Sequence, residues 1–77
     1  MTYIETLKQN GASLKRGALE GRARRMARHY GLRLEKSRDP EIGYQLIDEY
    51  SNTVKDYKLS LEEVVERLAD KEYMEKL

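Results

Sequence analysis

Apolar residues recur in two different periods along this chain, and the changes of period mark out its elements. Thr2 and Glu5 have the spacing of a capping box, Ile4 and Leu7 follow, and Asn10-Gly11 ends the run, which predicts a short helical segment within residues 1–11. Ser13 is placed to cap a longer helix running from Leu14 to His29 or Tyr30, with Gly31 as its stop. At 100° per residue, Ala12, Leu19, Ala23, Met26, Ala27 and Tyr30 fall on one stripe. Beyond Gly31 the period becomes two: Leu32 and Leu34 alternate with Arg33 and Glu35, as in a strand. Asp39-Pro40 reads as a loop, Tyr44 to Asp48 as a second strand, Ser51-Asn52-Thr53 as a turn and Val54 to Leu59 as a third strand. Connections this short favour an antiparallel meander. Ser60 and Glu63 then form a capping box ahead of Leu61, Val64, Val65, Leu68 and Ala69 on one helical face.

The pattern predicts one α+β domain over residues 1–77. Its parts are the short segment 1–11, a basic helix 13–30, a three-stranded antiparallel sheet 32–59, an acidic helix 60–71 and a tail 72–77. Both helices are expected on one face of the sheet, where each apolar stripe finds something to cover. Glu72 and Glu75 interrupt the last stripe, and Tyr73, Met74 and Leu77 leave it. The helix is therefore expected to end near Lys71 and the tail to fray, a partner chain being the other way to cover those side chains.

Composition adds a polarity that periodicity does not show. Residues 1–38 hold ten Lys or Arg against three acids, and residues 39–77 hold five against eleven, so balances of +7 and −6 meet in a net charge of +1. Such asymmetry implies a charged surface built for a charged partner. Charged residues make up 38% of a chain that buries only roughly 60% of its unfolded surface, so the core is thin. With no cysteine, disulfides and thiolate metal sites are excluded. No apolar run approaches the ~20 residues of a membrane span, and the first residues lack the features of a secretion signal, so a cytoplasmic protein is expected.

Arg22, Arg24, Arg25 and Arg28 lie opposite the apolar stripe of the long helix, with His29 beside them and Gly17, Ala18 and Gly21 on the same outer face. Guanidinium groups present planar forks to phosphate oxygens. Small residues let another backbone approach, and each helical glycine costs about 1 kcal/mol relative to alanine, so two of them need a reason. Lys15, Arg16, Arg33, Lys36 and Arg38 supply flanking charge. The bland alternative is a solvated basic face, but arginines this close repel one another unless an anion sits among them.

On the last helix Glu62, Glu63, Glu66 and Asp70 cluster opposite the apolar stripe. They could imitate a row of phosphates inside a nucleic-acid channel of another protein. An ordinary solvated face, supported by Glu63–Arg67 and Glu72–Lys76 spacing, is the simpler account. Catalytic and metal residues are not expected. His29 is the single histidine, no metal-ligand spacing occurs, the glycines are scattered, and so thin a domain offers little cleft to separate carboxylate pKa values. No cofactor is expected.

Three strands followed by a capped helix, from Leu32 to about Ala69, resemble the topology of the amino-terminal arm-binding domains of tyrosine integrases, whose sheet enters the major groove. Here the open sheet face mixes Arg33, Glu35 and Gln45 instead of presenting a basic, hydrogen-bonding surface, so the helix, not the sheet, is the expected contact with nucleic acid. The stretches Arg-Arg-Met-Ala-Arg-His-Tyr-Gly-Leu-Arg-Leu-Glu-Lys-Ser-Arg at 24–38, Gly-Tyr-Gln-Leu-Ile-Asp at 43–48 and Leu-Ser-Leu-Glu-Glu-Val at 59–64 resemble a group of small uncharacterised bacterial and phage proteins. That resemblance covers about two thirds of the chain and implies a mobile-element source.

The expected function is non-catalytic binding of nucleic acid, DNA or RNA, through phosphate contacts that position without specifying sequence. The alternative is a protein-binding inhibitor of a host nucleic-acid enzyme or defence system, similar to an anti-CRISPR factor, docking through its charged helices. Self-association of basic and acidic helices is a third possibility.

Overall fold

The computed structural model describes residues 2–39, 41 and 43–76; Pro40 of the Asp39-Pro40 loop and Leu77 of the tail lie outside them. Helix α1 (Tyr3–Gln9) starts where its capping signal predicts, with the Thr2 hydroxyl accepting the Glu5 N–H at 3.2 Å. Seven residues are too few to hold a helix alone in water. The deficit is met from a distance: the Glu66 carboxylate accepts the backbone N–H groups of Tyr3 at 3.0 Å and Ile4 at 2.6 Å. That bond pins α1 to the helix carrying Glu66, and Leu7 is buried between them and the rest of the core.

Helix α2 (Arg16–His29) begins two residues later than Ser13 predicts. The Ser13 hydroxyl instead accepts the N–H of Lys15 at 3.3 Å, a local turn that competes with helix capping. The cap position falls to Lys15, which makes no side-chain capping bond, and the first turn holds no acid. The other end conforms to expectation, with Tyr30 as cap and Gly31 in the left-handed region at φ +70°. Leu19, Ala23 and Ala27 are buried, while Met26 packs at the core margin. Tyr30 leaves the predicted stripe and is 40% exposed, because the backbone has already turned out of the helix there.

Strands β1 (Leu32–Lys36), β2 (Tyr44–Asp48) and β3 (Val54–Leu59) form an antiparallel sheet in the order β1-β2-β3. Register pairs Leu34 with Leu46 and Lys36 with Tyr44, so Leu32, Leu34, Tyr44 and Leu46 share the core. Ile47 points the other way, with Arg33 and Val54 as its cross-strand partners, and is still only 6% exposed. The β2–β3 pairing slips twice, once on each side of the Leu46–Asp56 pair, and Lys58 within it has φ +58°. These irregularities return Leu59 to the core and carry Lys58 out of simple alternation. Gly43, at φ +68°, lies so close to β3 that a Cβ there would stand 2.6 Å from the Leu59 carbonyl oxygen.

Helix α3 (Leu61–Ala69) opens on the predicted capping box: the Ser60 hydroxyl accepts the Glu63 N–H at 3.2 Å, and the Glu63 carboxylate accepts the Ser60 N–H at 3.1 Å. Leu61, Val64, Val65 and Leu68 are buried. The helix packs against α1, α2 and β3, and α2 packs against β1. It ends at Ala69, two residues short of the predicted end near Lys71, with Asp70 as its cap at ψ 101°. A second short helix, α4 (Lys71–Lys76), forms in the tail where fraying was expected. Asp70 accepts the Tyr73 N–H at 3.2 Å, and Arg67 lies 2.7 Å from Asp56 on β3 and 3.2 Å from the Tyr73 hydroxyl. The Tyr73 hydroxyl donates to the same Asp56, and Met74 packs on the core. Tyr73 and Met74 are therefore covered by the chain itself.

Candidate functional site: the arginine face and a cationic cleft

Helix α2 carries its arginines on a wider arc than a single line opposite the stripe. Residues two apart are separated by about 160° around a helix, so Arg22 and Arg24 point to opposite flanks. Arg22 is half-buried and reaches the Tyr3 hydroxyl at 3.4 Å, whereas Arg24 reaches the Leu34 carbonyl at 3.4 Å. Arg25 and Arg28 face directly outward and are exposed, as is His29, whose ring meets Tyr30 edge-on at 5.3 Å. Among the described residues none of the four arginines pairs with a carboxylate; the ion pairs are Arg16–Glu20, Arg33–Glu35, Arg67–Asp56, Arg67–Glu63 and Lys76–Glu72.

The helix glycines have no intramolecular reason to be glycines. Among the described residues a Cβ at Gly17 would meet nothing within 4 Å, and one at Gly21 would meet only the end of the Arg25 side chain at 3.5 Å. Neither glycine has a positive φ. Gly17 and the exposed Ala18 bare a strip of helix backbone that continues at the half-buried Gly21, where the end of the Arg25 side chain lies over it.

The five flanking cations do not form one group. Lys15 is the exposed cap residue of α2. Arg33 lies on the open sheet face, paired with Glu35 at 2.9 Å and 3.4 Å from the Asn52 side-chain oxygen. Arg16, Lys36 and Arg38 come together instead, lining a cleft of about 460 Å³ with Ser37, Glu41, Gly43, Tyr44, Lys58, Leu59 and Ser60. Sequence reasoning missed Lys58, since nothing in the alternation of β3 announces the irregularity that places it there. Its left-handed backbone is not readable from a lysine.

The Tyr44 hydroxyl is 3.4 Å from Arg16 and donates to Glu20, which lies 3.9 Å from Arg16. That bond holds the Glu20 carboxyl below its ordinary range, outweighing the opposing effect of burial, with a lesser contribution from the nearby Arg16. Burial and the bond to Glu20 push the Tyr44 hydroxyl up. Arg67, Asp56 and Tyr73 repeat the arrangement, with Tyr73 raised by burial and by its bond to Asp56.

The acidic residues of α3 are largely occupied. Glu63 completes the capping box and lies 3.7 Å from Arg67, Glu66 caps α1, and Asp70 starts α4. Glu62 alone of the four is exposed without such a bond among the described residues, so they form no row of disengaged carboxylates. Among the described residues no cluster of His, Asp or Glu has the makings of a metal site, and no helix is long and apolar enough to cross a membrane. No family model, curated protein or solved structure matches the chain.

Proposed function

We propose that this small α+β protein binds nucleic acid without catalysis, gripping phosphates through the outer face of α2. The observation that carries the reading is a set of arginines with no carboxylate partner among the described residues, set around backbone bared by Gly17 and Gly21. Arg24, Arg25 and Arg28 are the principal contacts, and Arg22 joins them by exchanging its weak bond to Tyr3. Such contacts fix position on a strand without reading bases. The mobile-element source suggested by the sequence resemblance belongs to this proposal as well.

The test is fluorescence anisotropy with labelled duplex and single strands at two salt concentrations. Four neutralised duplex phosphates give a log–log salt slope of about −3.6. The triple variant Arg24→Gln, Arg25→Gln, Arg28→Gln should weaken binding to all sequences alike and flatten that slope by about 2.7. No binding to either strand form at low salt would remove the reading, and binding indifferent to salt would remove the phosphate mechanism. A protein retained from nuclease-treated lysate, with no nucleic-acid binding, would favour the inhibitor in which the same arginines meet an acidic protein surface.

A further inference from the structure

We propose that the cleft between the start of α2, the β1–β2 connection and the β3–α3 junction is a binding site for a phosphate monoester of about mononucleotide size. It is made of residues other than those of the α2 face and does not depend on that face binding nucleic acid. Arg16, Lys36, Arg38 and Lys58 line it from three stretches of the chain, with Glu41 the one lining carboxylate among the described residues. Lys36, Arg38 and Lys58 pair with no carboxylate among the described residues, and Arg16 has only the longer contact to Glu20. Ser37 and Ser60 add hydroxyl groups, and Tyr44 and Leu59, both buried, contribute apolar surface. The volume of about 460 Å³ lies in the range of small-ligand sites and is too small for a duplex.

Two features of the backbone single out this place. Lys58 adopts φ +58°, a conformation that favours glycine and is strained for a lysine. Lys58 thus lines the cleft on a backbone that glycine would fit better, and its ammonium, 5.9 Å from the centroid of the exposed Tyr57 ring, is held by no carboxylate among the described residues. Arg16 sits in the first turn of α2, which has neither a side-chain cap nor an acid in that turn. Cations there oppose the helix dipole, and a bound dianion would relieve that opposition. Ligand recognition is thus electrostatic at the walls, with Tyr44 and Leu59 beneath the organic part of the ester.

The experiment is an amide NMR titration of the full chain with inorganic phosphate and with adenosine 5′-monophosphate, using chloride at equal ionic strength as control. Saturable shifts should concentrate at Ser37, Gly43, Lys58 and Ser60. Lys58→Gly should melt no earlier than the parent chain yet bind either probe roughly three- to tenfold more weakly, the range of exposed ion pairs and charge-assisted hydrogen bonds. Lys58→Arg should restore affinity. Two oligonucleotides differing only in a 5′-phosphate or 5′-hydroxyl separate the sources. Tighter binding of the phosphorylated one identifies a strand terminus, whereas saturation by the monophosphate alone identifies a free nucleotide. Shifts that are absent, or that track Arg24, Arg25 and Arg28 instead, would overturn the proposal. Oligonucleotide binding that ignores both Lys58→Gly and the 5′-phosphate, with no saturable cleft shift from phosphate or the monophosphate, would sink the cleft and leave the α2 reading standing. Phosphate binding in the cleft with no oligonucleotide binding would do the reverse.

Discussion

Replacing Gly21 by alanine should stabilise the chain, and its surroundings set the expected size of the gain. Gly21 lies well inside α2, where alanine is favoured over glycine by about 1 kcal/mol. The new methyl group would meet only the end of the flexible Arg25 side chain at 3.5 Å, an ordinary contact, so nothing subtracts from that gain. Gly17 is the second residue of the helix, where the backbone is less committed, and half the effect, about 0.5 kcal/mol, is expected there. The double variant then gains about 1.5 kcal/mol. For a domain of this size that is roughly 6–12 °C in melting midpoint, measured by circular dichroism. The same methyl groups would stand between the helix backbone and a docked phosphate strand. Nucleic-acid affinity should therefore fall while stability rises. Loss of stability would show that the glycines serve the fold, and unchanged affinity would show that no partner backbone comes close to this strip.

Other substitutions probe the fold around the site. Gly43→Ala combines a left-handed φ with a Cβ 2.6 Å from a backbone oxygen, and should cost about 2 kcal/mol or more in urea unfolding. Glu66→Ala removes the carboxylate that holds the Tyr3 and Ile4 N–H groups, and should cost about 1 kcal/mol, with hydrogen exchange accelerating first in α1. The Glu20 carboxyl titrates below its ordinary value of 4.5 in the folded chain. Its contribution is therefore complete above that pH and lost as pH falls through the folded value, so Glu20→Gln should flatten the acid limb of a stability–pH curve.

Much of the architecture was legible in short-range chemistry. The Ser60–Glu63 capping box, the Gly31 stop and the bounds of β2 and β3 all depend on neighbours within a few residues, which a sequence displays directly. The start of α2 misled because serine has two local options, and at Ser13 the turn prevailed over the cap. The tail misled because its anchor, Asp56, is on β3, 17 residues from Tyr73. Glu66 looked like surface charge for the same reason, since the N–H groups it satisfies lie at the opposite end of the chain.

The candidate site divides along the same line. Position on α2 is set by a 100° repeat, so the outward placement of Arg25 and Arg28 could be read without coordinates. Division of the chain into a basic and an acidic half was also a property of the sequence, but it concealed the cleft, where Lys58 of the acidic half joins Arg16, Lys36 and Arg38 of the basic one. Sequence by itself determined which faces are apolar, the order of α1, α2, the three strands and α3, and the bounds of β2 and β3, because those depend on local periodicity and capping. Only the tertiary structure decided which charges meet, because antiparallel pairing and the irregular register of β3 bring together residues that no local repeat connects.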